Sequence, residues 1–588
     1  MQEIGRSNGF WGARPDWNVI FLLCILAKGR AFWQTKMLFM RIGNILRSMC
    51  LSALVFVCWP VAAHALGSGD GVAIQYYFSG ASTLASNADF QEAKAIFTAP
   101  PAKGFRNFVL DRLTGVYWKA LQFDPNIDAT NLLRPILDDL LLAESVGSFG
   151  GHDTNRMDFV LAAKLDAKAA GSWEKNLETA LHGKGETWTE EGFSGERWNR
   201  AGKGSLWILH ARDWTLVGGG EDLPSVRSGY LRSIKKDNRP TTPTKDNWVS
   251  ASVDWPLLAN WVPGLSHSPV KLARTVAEAT ASKERIHATI HVTYPQAVAW
   301  KGDPWRIPKG LVGGPLSSFT ASRDLEPYLN GSDAMSHFSS DPLGSQLYCW
   351  ALRSMVLESY AAWPVTDASN VVKKLGAEAP PALNPLLEAR QHTHLSWVPS
   401  KNQLAWDRMA ITAPILEAVH DTNGDFLLAK IFPMQPEVVP VSPQLFSQFE
   451  GHEDLIYYDW ELTRLRLLQW RLLSELLPVF PPSPYQESPL VPKAAPNAKP
   501  RGPAKTPPLS LVATEAWLGS LVLPPGNTVT EITRTSPTEL TVTRNSQFLF
   551  TGLEWVLLSH WLADAPVGPI DMSLLPQAKM SALPGARH

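Results

Sequence analysis

Residues 206–217, Leu-Trp-Ile-Leu-His-Ala-Arg-Asp-Trp-Thr-Leu-Val, indicate the fold more directly than any other stretch of the chain. Two apolar runs of strand length flank Arg212 and Asp213, and Gly218 to Gly220 follow the second run. Short apolar runs bounded by turn residues favour two adjacent antiparallel strands. We therefore predict a β-hairpin at this position, within a largely antiparallel sheet.

A second hairpin is predicted in the other half of the chain, where residues 415–420 and 426–431 flank Asn423-Gly424. Asn-Gly is favoured in hairpin turns because both residues tolerate positive φ angles. Helical patterns accompany both hairpins, and this mixture of antiparallel strands and helices is typical of the α+β class.

Two other features occur in both halves of the chain in the same order. A predicted strand at 157–163 leads to Asp166, an expected helix cap, and 201 residues later a predicted strand leads to Asp367 in the same way. Asp254-Trp255 and Asp459-Trp460 both stand where a predicted strand turns into a helix, 205 residues apart. A shared order of this kind predicts a duplicated module.

A third pair extends the comparison, since Phe319-Thr320-Ala321 has a counterpart in Phe550-Thr551-Gly552 at an offset of 231 residues. The Pro-rich segment 481–508 nearly accounts for the wider spacing, and we predict that it is an extended insertion. Two similar modules, with largely antiparallel sheets and packed helices, are therefore expected at 151–335 and 345–565.

One region is predicted before the two modules and another after them. Residues 66–150 are expected to form a helical lead-in with one strand at 72–78 and a helix capped by Asp128. Residues 566–588 are expected to form a C-terminal tail.

Residues 40–65 have the pattern of a secretory signal peptide. Two arginines precede an apolar run at 49–63, which is shorter than the roughly 20 residues that span a bilayer. An A-x-A pattern ends at Ala65, so cleavage is predicted between Ala65 and Leu66.

Export to the periplasm or the extracellular space is therefore expected, and a signal-anchored protein of the inner membrane is the alternative. Residues 1–39 are interpreted as a mis-called start or as an extended n-region.

The net charge limits the classes of binding partner, and the cysteine content limits the disulfides that the chain can form. Residues 1–65 carry seven Lys/Arg and two Asp/Glu, so the remainder has a formal net charge of −6, against −1 for the whole chain. An acidic surface disfavours nucleic acid as the partner, and no integral membrane span is expected after cleavage. Only Cys349 lies beyond residue 65, so no intramolecular disulfide is predicted for the mature chain.

Motifs for nucleophilic, phosphate or cofactor chemistry are missing, since the sequence contains no G-x-S-x-G, no G-x-x-x-x-G-K-[ST] and no H-E-x-x-H. No cofactor is predicted. A catalytic site made of residues far apart in the sequence stays an open alternative.

Two pairs of closely spaced histidines are candidate metal ligands. His287 and His291 lie in an alternating strand pattern, which would place them about 13 Å apart, too far for one ion. His392 and His394 would share one strand face about 7 Å apart, but no third ligand is suitably spaced. No metal site is predicted, and His392 and His394 are the weak candidates.

Twenty tryptophans lie beyond residue 65. Trp300 and Trp305 occupy a stretch without helix or strand periodicity, where exposed aromatic rings could stack on sugars or peptides. We predict that these two bind a ligand. Five others lie in amphipathic patterns and are predicted to be core residues: Trp173, Trp255, Trp261, Trp460 and Trp470.

The order of FVLAAKLDAK, LWILHARDWTLVGGG, DWPLLANW, LIYYDWELT and FTGLEWVLLSHWL resembles large envelope proteins of environmental bacteria. The resemblance covers about 150–565. It implies a signal peptide followed by repeated α+β modules, and it implies no activity, cofactor or catalytic residue.

Three functions follow as hypotheses. The first is an exported, non-enzymatic binding or scaffold protein of the cell envelope, with an envelope protein or a glycan as partner. The second is a hydrolase of envelope or extracellular polymers, and the third is a carrier of an apolar ligand. The sequence does not indicate the oligomeric state.

Overall fold

The structure is a computed structural model, and it describes residues 71–564 except 89–93, 95–97, 99, 154–155, 202–203, 221–222, 242–246, 261–264, 266–267, 269, 283–284, 329–344, 354–357, 392, 409–411, 433–438, 477–515 and 521–525. Several predicted features lie outside the described residues: the segments 1–39 and 40–65, cleavage between Ala65 and Leu66, the insertion 481–508 and the tail 566–588.

The strands are, in chain order, β1 (Val72–Phe78), β2 (Ser145–Asp153), β3 (Arg156–Lys164), β4 (Glu186–Glu190), β5 (Phe193–Arg200), β6 (Gly204–Ala211), β7 (Trp214–Gly219), β8 (Val249–Asp254), β9 (Arg274–Ser282), β10 (Arg285–Thr293), β11 (Gly313–Gly314), β12 (Leu316–Arg323), β13 (Gln346–Leu352), β14 (Ser359–Val365), β15 (His394–Val398), β16 (Gln403–Asp407), β17 (Ile415–Asp421), β18 (Gly424–Lys430), β19 (Val439–Pro440), β20 (Leu455–Leu462), β21 (Asn527–Ser536) and β22 (Glu539–Ser546).

The α-helices are α1 (Ala81–Ser86), α2 (Pro100–Ala120), α3 (Ala129–Leu142), α4 (Ala167–Ala180), α5 (Pro224–Asp237), α6 (Trp255–Ala259), α7 (Ala368–Gln391), α8 (Gln444–Ser447), α9 (Thr463–Leu476) and α10 (Gly552–Asp564). The protein is therefore of the predicted α+β class. None of the helices in the described part of the chain is both long and apolar enough to cross a membrane.

The chain divides into two compact units. The small unit contains Gly302–Glu453 and the end of α9, and the large unit contains the preceding strands and helices together with 454–472 and the described residues after 515. This division differs from the predicted modules at 151–335 and 345–565, because strands from both ends of the chain pair within the large unit.

In the large unit the strands form an antiparallel sheet with the order β4-β5-β6-β7-β3-β2-β1-β8-β9-β10-β22-β21-β20. Six of the twelve neighbouring pairs are connected by two or three residues, as antiparallel pairs allow. The other pairs bring together strands that are farther apart in the sequence, such as β10 and β22.

The hairpin predicted at 206–217 is confirmed as β6 and β7. Ala211 pairs with Trp214 across a two-residue turn, and Arg212 has a φ of 55°. Trp207 and Ile208, adjacent on β6, are both nearly inaccessible to solvent. Since neighbouring strand residues point to opposite faces, the sheet is covered on both sides here.

Helices cover these two faces. On one side Tyr230, Leu231 and Ile234 of α5 pack with Trp207. On the other side residues of α3 and α4, including the fully buried Trp173, pack with Ile208. The Asp128 and Asp166 side chains accept hydrogen bonds from the backbone N–H of Thr130 and Ala169, so both predicted helix caps are confirmed.

The C-terminal part of the large unit has its own core, in which buried residues of α2, α9 and α10 pack together. The members include Phe105, Leu467, Trp517 and Trp555. The indole of Trp517 stacks on Phe105 with 4.5 Å between ring centres. The first residues of α9 and α10 contact this part of the sheet, because the Thr463 hydroxyl is 2.7 Å from that of Thr528 on β21 and the Gly552 N–H donates to Glu461 on β20.

The small unit contains an antiparallel sheet with the order β12-β13-β14-β18-β17-β16-β15. The helix α7 connects β14 to β15, and its buried residues pack on β16, β17 and β18. Asp367 accepts a hydrogen bond from the backbone N–H of Asn370, as a capping residue does. The hairpin predicted around Asn423-Gly424 is confirmed as β17 and β18, but Asp421 pairs with Gly424, so Thr422 and Asn423 form the turn and Gly424 begins β18 at a φ of 111°.

One of the three sequence correspondences is wrong. Phe319-Thr320-Ala321 lies within the strand β12, whereas Phe550-Thr551-Gly552 forms the start of the helix α10. A short apolar-Thr-small pattern fits both a strand and a capped helix start, because threonine is favoured in each.

Candidate functional site

Trp305 of the small unit is held by its neighbours. The guanidinium carbon of the buried Arg323 lies 4.7 Å from the centre of the Trp305 ring, and the ring of Phe449 meets it edge-on at 5.1 Å. Arg323 also donates to the Asp303 carbonyl at 2.6 Å. These contacts fix the indole in place, and ligand binding at Trp305 stays a prediction.

Trp300 belongs to the large unit and is half-buried. The guanidinium carbon of Arg534 lies 5.2 Å from the centre of its ring, and Arg534 donates to the Val298 carbonyl at 3.1 Å. This arginine therefore covers part of the indole surface. Ligand binding at Trp300 likewise stays a prediction.

His291 and His394, one from each histidine pair, contact different carboxylates. His287 and His291 lie on the predicted strand, now β10, and His291 Nδ1 is 2.9 Å from a carboxylate oxygen of Glu539. His394 Nδ1 is 2.7 Å from a carboxylate oxygen of Glu388. His392 lies outside the described residues. Among the residues that the structure describes, no group of three His, Cys, Asp or Glu side chains is placed to hold a metal ion.

A different set of side chains stands out on the large unit. One face of β9, β10, β22 and β21 is mostly buried, and it combines apolar residues such as Ala277, Ala279, Ile286 and Val542 with the buried hydroxyls of Thr528, Thr530 and Ser546. The opposite face is mostly half-exposed and polar, as is common for antiparallel sheets. We call it the open face, and it consists of Val276, Glu278, Thr280, Arg285, His287, Thr289, His291, Asn527, Val529, Glu531, Thr533, Thr541, Thr543, Asn545 and, from β20, Trp460.

The residues of the open face form rows across the strands. Strand pairing places Thr280, His287, Asn545, Val529 and Trp460 directly opposite one another in succession. Neighbouring strands lie about 4.8 Å apart, so this row extends roughly 19 Å. An indole, a carboxamide and an imidazole are thereby aligned along one line.

Arg285 lies on the open face beside the row just described, two residues before His287 on β10. Its guanidinium donates to the carboxamide oxygen of Asn545 at 3.3 Å and to that of Asn527 at 3.0 Å. The two carboxamides come from β22 and β21, so Arg285 is positioned by strands distant in sequence. An arginine fixed in this way loses less side-chain freedom when it binds a ligand.

Two carboxylates belong to the second row, in which Glu278, Thr289, Thr543, Glu531 and the buried Tyr458 of β20 face one another in succession. Glu278 and Glu531 are three strand spacings, or about 14 Å, apart. The paired carboxylates of glycoside hydrolases are about 5–9.5 Å apart. The two acids are too far apart to act as such a pair.

The opposite side of β20 carries a buried ionic cluster. Glu461 is 5% exposed, and its carboxylate accepts a hydrogen bond from the backbone N–H of Gly552 at 2.7 Å. Burial is the largest cause that raises the pKa of Glu461, to about 8, and the charges of Asp459 and Glu554 act in the same direction. Hydrogen bonding by Gly552 and the charge of Arg466 oppose this rise.

Glu554 shows the contrasting behaviour. Burial alone would raise its pKa, but two hydrogen bonds from Arg544, at 2.7 and 3.0 Å, hold the pKa below its usual value. Glu554 also accepts from the backbone N–H of Thr551, whose hydroxyl accepts from the backbone N–H of Glu554. This reciprocal pair is a capping box at the start of α10.

The five tryptophans that were predicted to be core residues differ in their environments. Trp173 and Trp255 are buried as predicted, Trp470 is half-buried, and Trp261 lies outside the described residues. Trp460 is half-buried on the open face, so its prediction as a core residue is wrong. The alternation of His287, Thr289 and His291 with apolar residues along β10 was the available sign of this polar face, whereas Thr528 and Thr530 of β21 are buried on the opposite side.

No family model, no curated protein and no solved structure matches this chain.

Proposed function

We propose that this protein is an exported, non-enzymatic binding protein of the bacterial cell envelope that holds a glycan against the open face. The observation that carries the proposal is the row from His287 through Asn545 to Trp460, with Arg285 beside it. An aromatic ring stacks on the apolar face of a sugar, while carboxamide, imidazole and guanidinium groups bind its hydroxyls.

The shape of the open face favours a polymer as the ligand over a small molecule. The row crosses five strands of a continuous sheet and its residues are half-exposed, whereas a carrier of an apolar ligand would use a closed cavity. A chain of sugars can contact several positions of such a row at once, and weak contacts then add up.

The spacing of carboxylates on this face supports binding over hydrolysis. Glu278 and Glu531 are separated by about 14 Å of polar sheet surface, which exceeds the distance across which two carboxylates flank a glycosidic bond. The hydrolase hypothesis therefore has less support at this surface than the binding hypothesis.

Export and the suspected relationship to large envelope proteins are also part of the proposal. They are supported by the signal-like segment 40–65 and by the motif order described above. An envelope location would place the open face among peptidoglycan and other polysaccharides.

We also propose that the chain contains a duplicated module with revised bounds, 72–293 and 316–546. The support is the strand order β1-β2-β3-β7-β6-β5-β4 in the first and β12-β13-β14-β18-β17-β16-β15 in the second. In both, a helix capped by an aspartate joins the third strand to the fourth, and the hairpins β9–β10 and β21–β22 would be equivalent.

The binding proposal is tested by sedimentation of the mature chain with isolated peptidoglycan sacculi. We expect the wild type to be retained and Trp460→Ala to bind roughly tenfold more weakly or worse, as central aromatic contacts usually do. Thr293→Ala, at the exposed end of β10, is the control and should bind like the wild type.

Three results would contradict the proposal: no retention of the wild type, equal retention of Trp460→Ala, or release of soluble sugar fragments. Loss of retention in Trp300→Ala or Trp305→Ala alone would instead assign binding to the two tryptophans predicted from the sequence.

A further inference from the structure

Arg285 places a permanent positive charge on the open face, because an arginine side chain stays protonated in proteins. Its guanidinium donates to the carboxamide oxygens of Asn545, at 3.3 Å, and of Asn527, at 3.0 Å. A carboxamide is neutral. These two contacts therefore hold the guanidinium in place without cancelling its charge.

Two other arginines of the large unit show the opposite arrangement. Arg227 lies 2.8 Å from a carboxylate oxygen of Glu190. Arg544 donates two hydrogen bonds to the carboxylate of Glu554. The protein itself balances those two charges. Arg285 contacts no carboxylate within the described part of the chain, so its charge stays available to a ligand.

The guanidinium of Arg285 also keeps hydrogen-bond donors for a ligand. It has five N–H groups, and the two carboxamides use two of them. The three others lie in the planar fork that matches the two oxygens of a carboxylate. The side chain is half-buried, so a ligand on the open face can reach these donors.

This charge lies close to the indole that we propose as the stacking surface. Val529 is directly opposite Trp460, and Asn527 precedes Val529 by two residues on the same face of β21. Diagonal neighbours of this kind are about 7–8 Å apart. A carboxylate of a sugar that stacks on Trp460, or of the next sugar in the chain, can therefore reach the guanidinium that Asn527 holds.

The carboxylates of the open face lie farther from this position. Glu531 follows Asn527 by four residues on β21, and Glu278 belongs to the same row as Glu531. Four residues of a strand span about 13 Å, which exceeds the Debye length of about 8 Å at physiological ionic strength. Their repulsion of an anion at Arg285 is largely screened, whereas direct contact with the guanidinium is not.

We propose that the open face selects a glycan that carries carboxylates, and that Arg285 binds a sugar carboxylate while Trp460 stacks on the ring. This inference rests on the proposed glycan binding and adds the class of glycan that is bound. Because the chain beyond residue 65 is acidic overall, a polyanion gains little from long-range attraction. The selectivity must therefore come from the contact with Arg285.

Isothermal titration calorimetry of the mature chain tests the inference with two trisaccharides, trigalacturonate and its methyl ester, which differ in the charge of their carboxyl groups. At about 0.15 M salt the wild type should bind trigalacturonate roughly tenfold more tightly than the ester. Raising the salt to about 1 M should weaken the binding of trigalacturonate and leave that of the ester unchanged.

Arg285→Met should lose the preference for trigalacturonate and bind the ester like the wild type, because the substitution removes the charge and keeps an unbranched side chain. A second variant, Asn527→Asp, keeps the arginine but gives it a carboxylate partner, and it should lose the preference in the same way. If Arg285→Met does not fold, Asn527→Asp decides the outcome. The matched control is Arg274→Met, which removes an exposed arginine at the far end of the β9–β10 hairpin and should behave like the wild type.

Equal affinity of the wild type for the acid and the ester would overturn the inference and leave glycan binding itself standing. A preference that persists in Arg285→Met, or that disappears equally in Arg274→Met, would overturn it as well. Triglutamate bound as tightly as trigalacturonate would assign the site to an acidic peptide instead.

Retention on sacculi separates this inference from the proposed function. If the wild type is retained on sacculi but does not bind trigalacturonate, only the selection of acidic sugars is refuted. If it binds neither the sacculi nor the two trisaccharides, the proposed function is refuted together with the inference.

Discussion

The two Asp-Trp-x-Leu segments of the large unit occupy the ends of β8 and β20, yet they perform different tasks. At the first, Asp254 accepts a hydrogen bond from the Leu257 backbone N–H at 2.9 Å, and α6 starts immediately at Trp255. At the second, β20 continues to Leu462, and α9 starts only at Thr463.

This difference in where the strand ends decides the environment of each side chain. Trp255 is 5% exposed and donates through its indole N–H to the Thr275 hydroxyl at 3.0 Å. Trp460 remains on a strand and is half-buried on the open face. The same tetrapeptide pattern therefore serves as a structural junction where the helix begins within it, and as part of a candidate binding surface where the helix begins after it.

The largest expected effect is a loss of folding stability at the first segment, where β8 ends at Asp254 and α6 begins at Trp255. Trp255→Ala should lower the free energy of unfolding by about 3–5 kcal/mol, because it removes a buried aromatic side chain and leaves a cavity. Trp460→Ala should cost less than about 1 kcal/mol, and urea denaturation of both variants checks the pair. Equal losses would mean that the two tryptophans have equivalent structural roles, contrary to the comparison.

A smaller effect is expected from the helix cap. Asp254→Ala should destabilise the large unit by about 1 kcal/mol, since the Leu257 backbone N–H loses its acceptor. Asp254→Asn retains a side-chain oxygen and should behave like the wild type. Thermal denaturation of the three proteins at one pH measures this, and an unchanged transition in Asp254→Ala would show that the cap does not stabilise the junction.

The smallest expected effect is a change in the pH dependence of folding stability at the second segment, where Glu461 follows Asp459 and Trp460. The folded pKa of Glu461 lies above the ordinary value for glutamate, so the stability that its proton confers is complete at low pH and is lost as the pH rises through about 8. Asp459→Asn removes a charge that raises this pKa, and the loss of stability between pH 6 and pH 9 should become smaller. A difference in melting temperature that equals or exceeds the wild-type difference would refute the assigned role of Asp459.

Local features were predictable from the sequence because their physical causes lie within a few residues. The helix caps at Asp128, Asp166 and Asp367 depend on a side chain and an amide two or three positions away. The strand β1 matches the prediction at 72–78 residue for residue. The hairpin at Asn423-Gly424 was likewise predictable, because glycine tolerates the positive φ that Gly424 adopts next to the turn.

The candidate site was not predictable because its parts meet only in the folded chain. The environment of Glu461 depends on Gly552, 91 residues away, and Arg285 meets Asn545 across 260 residues. The half-exposed position of Trp460 depends on which strands pair with β20. Amphipathic patterning alone gave the wrong assignment for Trp460, since an alternating segment does not reveal which of its faces a helix will cover.

The pairing of β10 with β22 has a consequence for how the chain is made. His291 and its neighbour Thr541 stand 250 residues apart, so a ribosome completes β10 long before the strand that lies beside it exists. Throughout that interval one edge of the hairpin β9–β10 offers backbone groups to other chains, and such edges promote aggregation. The sheet of the large unit is therefore complete only after β21 and β22 have been synthesised.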